Sequence, residues 1–368
     1  MLSAPWKWRK VYFLYEPKSI FAAMNSLAAN GAAMKAHEHT RSLVLPDQRV
    51  ALCGDWHGNV LWGRLIARAL PHIAPDVTTV LHLGDWWMPP AEADNAFADT
   101  GIERIFVTVG NHEDFGQITP LFEKHSGEAV RVSELTWLLP RPARLTIGGR
   151  PVLSLGGAAS LDRQSRERGR TWWPEEAISD DHVKAAIAGG PADLMLTHES
   201  PAGSPVRSAR EVLRTNPQGF PKSALEASAA SRARVSEVWD AVRPKLLAHG
   251  HLHVPGGGKT EDGRRVASLG RDGQEGNLGI LDMRTLRMTT PSLREIREFA
   301  KRHESRDADR ERRMKGAAEA LHSGILDGRR PSGDAIRDAW DYIDGRRTLD
   351  ELIEDVRLRH TRHPQDEP

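Results

Sequence analysis

A chain of 368 residues, 27% of them charged and 39% apolar, has the make-up of a water-soluble globular protein, which argues against wholesale disorder and against a membrane-embedded protein. Its formal net charge of +1 supplies no global field toward nucleic acid or anionic lipid, although a local basic patch would not register in that sum. The single cysteine, Cys53, cannot form an intramolecular disulfide; this excludes a disulfide-stapled secreted scaffold and sets the cytoplasm as the expected location.

Near the N-terminus, Lys7, Arg9 and Lys10 precede the apolar run Val11 to Tyr15, but Glu16 and Lys18 interrupt it well short of an export signal. No apolar stretch approaches a membrane span, so no membrane partner is expected. Residues 1–46 read as an extension, weakly structured or helical, with an Ala-rich stretch broken by Asn30-Gly31. Met24 and Met34 offer alternative translation starts.

From 47 to 290 the pattern changes to short β-branched or Leu-rich runs, each ending in a Gly- and His- or Asp-containing turn. Strands are predicted at 49–53, 78–83, 104–109, 152–155, 193–196 and 245–248, with later ones at 266–269 and 278–281. A helix is predicted over 60–70, so the region reads as an α/β domain with its sheet layered between helices. Residues 291–368 read as a charged helical extension. A long solvated helix covers 293–321, and Leu349, Leu352, Ile353 and Val356 recur at helical spacing behind a Thr348/Glu351 capping box. Such helices present a solvated packing face, a docking surface for a protein partner or a self-association element.

Five motifs occur in order, each where a predicted strand ends: Gly54-Asp55-Trp56-His57-Gly58, Gly84-Asp85, Gly110-Asn111-His112-Glu113, Thr197-His198-Glu199 and Gly250-His251-Leu252-His253. In an α/β sheet the carboxyl ends of parallel strands share one edge, so these side chains are expected to converge. Imidazole nitrogens with carboxylate oxygens suit manganese, iron, zinc or nickel better than magnesium, and no cysteines are available for a thiolate site. Two such ions about 3.5–4 Å apart make hydroxide available near neutral pH and neutralise phosphate oxygens. A nearby histidine that is not a ligand can protonate the leaving oxygen, and His112 is the candidate.

These motifs resemble those of the calcineurin-like metallophosphoesterase superfamily, whose pattern is Asp-x-His, Gly-Asp, Gly-Asn-His-Asp/Glu, His and Gly-His-x-His; the resemblance spans roughly residues 49–283. It implies a two-sheet β-sandwich flanked by helices and a hydrolase acting on ester bonds through two divalent transition metal ions. It further implies that Asp55, His57 and His253 hold one ion, that Asn111, His198 and His251 hold the other, that Asp85 bridges, and that His112 stands over the leaving group. The protein serine/threonine phosphatase branch carries an aspartate and two arginines where this chain has Met88, Pro89 and Val109, which disfavours a phosphoprotein phosphatase. Without that aspartate, orientation of His112 falls to Glu113, Asp114 or a backbone carbonyl.

Around the motifs, His82 and His249 lie within strands and read as core residues rather than ligands. Trp56, Trp86 and Trp87 could stack a nucleobase or pack internally. The long polar loop 156–176 contains Asp162, Arg163 and Arg166, and an arginine from it could clamp a phosphate. Arg163, Arg166 and Trp86 are therefore the substrate-binding candidates. The expected activity is metal-dependent hydrolysis of a phosphomonoester or phosphodiester. The alternatives are a DNA or RNA nuclease or nucleotide phosphodiesterase on the same site, and a non-hydrolytic metal-binding scaffold.

Overall fold

The computed structural model describes residues 34–326 and 333–361; most of the N-terminal extension, including Met24, lies outside them. The described residues fall into two compact units, divided after Leu293. No helix among them is long and apolar enough to cross a membrane.

The first unit is built on two sheets. In one, the strand order from edge to edge is β1 (Glu38–Thr40), β6 (Ala129–Arg131), β7 (Thr136–Leu139), β5 (Arg104–Thr108), β4 (Thr79–His82), β3 (Arg49–Cys53), β14 (Gly279–Asp282) and β15 (Arg287–Thr289). In the other it is β12 (Gly256–Lys259), β13 (Arg265–Ser268), β11 (Leu246–His249), β10 (Leu194–Thr197), β9 (Arg150–Leu155), β8 (Ala143–Ile147) and β2 (Leu43–Leu45). The centre of each sheet is parallel: β3, β4, β5 and β7 in the first, β9, β10, β11 and β13 in the second. Antiparallel strands close the outer positions, apart from β2, which runs parallel to β8.

Side-chain alternation explains why the central strands read as unbroken apolar runs. Leu194, Leu196, Leu246 and Ala248 point into a layer shared with Val50, Leu52, Leu81 and Phe106 of the other sheet. The intervening Met195 and Leu247 point the opposite way, onto helices α4 (Asp180–Ala188) and α6 (Lys222–Val242) through Val183, Ala186, Val235 and Val238. A strand buried on both faces has no polar side to show. Helices α1 (Val60–Ile73), α2 (Pro90–Phe97), α3 (Phe115–Lys124) and α5 (Arg207–Thr215) complete the flanking layers. The result is a two-sheet sandwich flanked by helices, the α/β arrangement that the sequence implied.

Residues 38–45, assigned above to the extension, instead form β1 and β2, which pair with β6 and β8. They are three-residue edge strands, too short for periodicity to register, although Leu43 and Leu45 are buried while Val44 is exposed. Strand β12 was also unread, because Gly256-Gly257-Gly258-Lys259 has no β-forming side chain. Gly258 is needed for close approach: a Cβ there would lie 2.4 Å from the Pro205 carbonyl carbon.

The second unit contains most of α7 (Leu293–Leu326), with α8 (Gly333–Ile343) and α9 (Leu349–Thr361). Arg313 Nε donates to the Ile343 carbonyl at 3.0 Å and Arg310 pairs with Asp344 at 3.2 Å. The capping box forms at the start of α9, with the Thr348 amide donating to Glu351 Oε2 at 2.7 Å and the Glu351 amide to Thr348 Oγ1 at 3.3 Å.

Candidate metal centre and cleft

The five motifs follow directly on β3, β4, β5, β10 and β11, so their turns meet along the carboxyl edge of both sheets. Backbone bonds stitch the turns together: Asp55 N–H to Gly84 O at 2.9 Å, His57 N–H to Asp85 O at 2.8 Å and Gly250 N–H to His198 O at 3.2 Å. Left-handed backbone occurs at the ligand candidates themselves, with φ of 54° at Asp55, 48° at His57, 54° at Asp85, 66° at His251 and 56° at His253. Each such residue costs about 1 kcal/mol or more and persists only where its surroundings enforce it. The adjoining glycines serve a different purpose. A Cβ on Gly110 would stand 2.3 Å from Asp85 Oδ1, and one on Gly250 would stand 2.3 Å from Asp55 Oδ2.

One ligand atom from each of Asp55, His57, Asp85 and His253 lies within 4.8 Å of the others, a grouping able to hold a metal ion. His57 Nε2 is 3.3 Å from Asp85 Oδ2, and His253 Nε2 is 3.3 Å from Asp55 Oδ1. Asp55 is fully buried; its Oδ1 accepts the His251 amide at 2.9 Å while Oδ2 has no partner. A buried carboxylate oxygen without a donor is costly unless a cation meets it.

On the other side of Asp85 lie Asn111, His198 and His251. His198 Nδ1 donates to the Leu83 carbonyl at 2.6 Å, which leaves Nε2 facing Asn111 Oδ1 at 2.9 Å and Asp85 Oδ1 at 3.3 Å. The Asn111 amide cannot be turned round, because its Nδ2 donates to Ser160 Oγ at 2.9 Å and Ser160 in turn donates to Glu176 Oε2 at 2.8 Å. Three acceptor atoms thus converge, and only a proton or a cation reconciles them. In the metal-free protein it is a proton. Burial opposes charge on His198, but Asp85, Asp55 and Glu113 raise its pKa to about 10. His57 behaves alike: burial opposes its charge, and Asp272, Asp85 and Asp55 raise its pKa to about 10. Burial also works against ionisation of Asp85, yet the histidines around it hold its carboxyl well below the usual range.

His112 stands beside this group, its ring edge-on to His57 at 5.8 Å and to Trp87 at 5.1 Å. Burial drives its pKa well below the usual imidazole value, with Arg166, His57 and His198 acting in the same direction and Asp85 against them. Neither Glu113 nor Asp114 orients it. Glu113 accepts the Trp86 amide at 3.1 Å and the Gly110 amide at 2.9 Å, bracing two turns, and burial raises its pKa to about 7. Asp114 accepts from the Gln117 side chain at 2.8 Å. The acid nearest the His112 ring is Asp162, whose Oδ2 is 3.8 Å from Nε2.

A family model described as calcineurin-like phosphoesterase matches residues 48–255. The chain belongs to that family. Its class is accordingly a hydrolase of phosphate esters, with a site able to hold metal. A second family model, antitoxin VbhA, matches residues 313–359. No curated protein matches the chain. Similar solved structures include a 5′-nucleotidase from Candida albicans, 13% identical, covering 72% of this chain and 55% of its own, with a TM-score of 0.39. A dimetal phosphatase from Danio rerio is 12% identical over 67% of this chain and 96% of its own, TM-score 0.39. Phosphopantetheinyl hydrolase from Mycobacterium tuberculosis is 12% identical over 69% of this chain and 99% of its own, TM-score 0.38.

In this phosphoesterase domain a cavity of about 160 Å³ opens onto Asp85, Asn111, His112, Asp162, His251 and His253. Its other side is formed by α5, the α5–α6 connection and the first turn of α6. The three substrate candidates lie elsewhere. Arg166 is only 7% exposed and is held by Ser160 Oγ at 2.6 Å, Glu176 at 3.6 Å and Asp162 at 3.7 Å. Arg163 lies over the Trp172 ring at 4.1 Å. Trp86 is buried and stacked on Trp56 at 5.3 Å. An arginine so close to buried Glu176 is drawn inward, and a tryptophan directly after a buried turn packs into the core. Trp56 is likewise internal, donating with Trp62 to the Asn277 side chain at 2.9 and 2.6 Å.

His82 and His249 are fully buried in β4 and β11. Three further residues stand beside the centre. Ser160 fixes the Asn111 amide, and Asp272 lies 3.9 Å from His57 Nδ1 while bonding Asn59 at 2.7 Å. Glu199 lies 3.9 Å from His251 Nε2. Glu199 is visible as a neighbour of a motif histidine; a lone Ser160 or Asp272 is not.

Proposed function

We propose that this chain hydrolyses a phosphomonoester or phosphodiester at a two-metal centre, with Asp55, His57 and His253 holding one ion and Asn111, His198 and His251 the other. Asp85 faces both sets, one oxygen toward His57 and one toward His198, and this division of its carboxylate is the observation that carries the reading. The donor set favours manganese, iron, zinc or nickel. When bound, such ions lower the pKa of water toward neutrality and neutralise phosphate oxygens. The residues of the chain do the rest. Asp85, Asn111 and the histidines present the reacting phosphate to the cleft, and Ser160 and Asp272 keep Asn111 and His57 turned correctly. His112 gives a proton to the leaving oxygen; the arriving phosphate anion and Asp162 supply the negative charge that returns a proton to a ring otherwise held neutral. A reduced, buried Cys53 accords with work in the cytoplasm.

The test is elemental analysis together with hydrolysis of p-nitrophenyl phosphate and bis-p-nitrophenyl phosphate, with and without added manganese, zinc or nickel. About two ions per chain and metal-dependent release of nitrophenolate are expected. Metal-replete protein inert on both esters points instead to the binding-scaffold alternative.

A second reading concerns the other unit. Residues 313–359 match the antitoxin family, and α9 carries the exposed apolar side chains Leu349 and Ile353 one turn apart. This segment docks a toxin protein. Co-purification of one stoichiometric protein that arrests growth when expressed alone, and that is lost with Leu349→Asp and Ile353→Asp, is the expected result; retention in both variants removes α9 from the interface.

A further inference from the structure

The cleft is chemically lopsided. Across from the His and Asp edge stand Val212, Leu213, Phe220 and Leu225, from α5, the α5–α6 connection and α6, with the exposed Gln218 as a polar neighbour, while Leu161 and Leu252 lie beside Asp162 and the motif histidines. Phe220 is pinned there: its amide donates to Asn216 Oδ1 at 2.9 Å and its carbonyl accepts from Asn216 Nδ2 at 2.9 Å, so the Asn216 side chain is spent on holding the loop. Among the described residues no lysine or arginine lines the cleft. Arg166 is turned inward onto Ser160 and Glu176, and Arg163 onto Trp172. Arg207, Arg210 and Arg214 of α5 border an adjoining surface depression that shares Leu213 with the cleft, and there Arg214 pairs with Glu211 at 2.6 Å and Arg210 donates to Ser204 O at 2.9 Å.

We propose that this cleft selects a phosphate ester carrying one phosphate group and an apolar, ring-sized leaving group, and discriminates against polyphosphates and nucleic-acid backbones. The proposal rests on the phosphoesterase reading and narrows it. A single phosphate is served by the metal and histidine edge. A second phosphate meets Asp162, whose nearest cation, Arg166 at 3.7 Å, is already engaged by Ser160 and Glu176, whereas binding of successive phosphates relies on free Lys and Arg to replace their counterions. The apolar wall gains from covering a ring.

The experiment uses the full-length, manganese-loaded protein and non-hydrolysable probes, with affinities measured by calorimetry. Benzylphosphonate is expected to bind roughly tenfold more tightly than methylphosphonate, and Phe220→Ala to narrow the gap to about twofold. Leu213→Asn provides the same reading should Phe220→Ala fail to fold. Equal affinities for the two phosphonates, no binding of either, or a gap that survives both variants overturns the proposal. So does tighter binding of pyrophosphate or a short deoxyoligonucleotide than of benzylphosphonate. Turnover of p-nitrophenyl phosphate, measured in parallel, separates the two claims. A retained binding gap without turnover contradicts the catalytic reading alone; turnover without a gap contradicts this one.

Discussion

Asp85 sits where the two proposed ligand sets meet, its Oδ1 accepting the Asn111 and His112 amides at 3.1 and 3.0 Å while both oxygens also face imidazoles. Replacing one oxygen by an amide removes half of the negative charge's reach, so Asp85→Asn is expected to lose at least one metal and nearly all turnover. Elemental analysis decides, and two ions with normal rates in that variant would contradict the assignment. His112→Gln should behave differently, keeping its metals while kcat falls on the order of 10²–10⁴-fold, the range for a lost general acid. Asp162→Asn tests orientation rather than chemistry. A carboxylate 3.8 Å from His112 Nε2 favours the protonated ring, so its neutral replacement lowers the His112 pKa. Activity that depends on protonated His112 is lost as pH rises through that pKa; the alkaline limb of the pH–rate profile should therefore move to lower pH, with kcat down about tenfold. An unmoved limb assigns Asp162 to packing.

The elements do their work at their ends. Strands β3, β4 and β5 of one sheet and β10 and β11 of the other finish at a common edge, and the proposed ligands that adopt left-handed backbone require tight turns there. Gly110 shows how little room remains: an added Cβ would meet Asp85 Oδ1 at 2.3 Å, the Asp85 amide nitrogen at 2.5 Å and His198 Nε2 at 3.0 Å. Backbone on one side cannot step aside. Gly110→Ala is expected to lower stability by about 1–3 kcal/mol in urea unfolding and to reduce bound metal, since Asp85 must shift. Unchanged metal content would show that the turn can relax. The same scale explains which strands were legible. The eight apolar runs became strands because both faces are buried, whereas β1, β2 and β12 exist only through the partner each one pairs with.

At the scale of the molecule, metal binding and protonation compete. His57 and His198, with pKa values near 10 in the metal-free protein, are charged at pH 7 and must lose a proton to ligate. Metal affinity therefore falls as pH drops and rises toward pH 10, by about tenfold per unit for each proton displaced. The rise in Tm on adding manganese should be larger at pH 8 than at pH 6, and an equal rise at both would remove these two histidines from the ligand set. The amino-acid order determined the α/β alternation, the strands with two buried faces and the five motifs at their ends, because apolar runs and Gly-Asp or Gly-His turns are local and survive reading one stretch at a time. Only the tertiary structure decided that Arg163, Arg166 and Trp86 are engaged by other partners instead of lining the cleft, that Ser160 sets the Asn111 amide, that Asp162 rather than Glu113 approaches His112, and that Leu213 and Phe220 wall the pocket. Each of those roles depends on a partner dozens to hundreds of residues away, or on which way a side chain turns once packed, and neither leaves a mark on the local pattern.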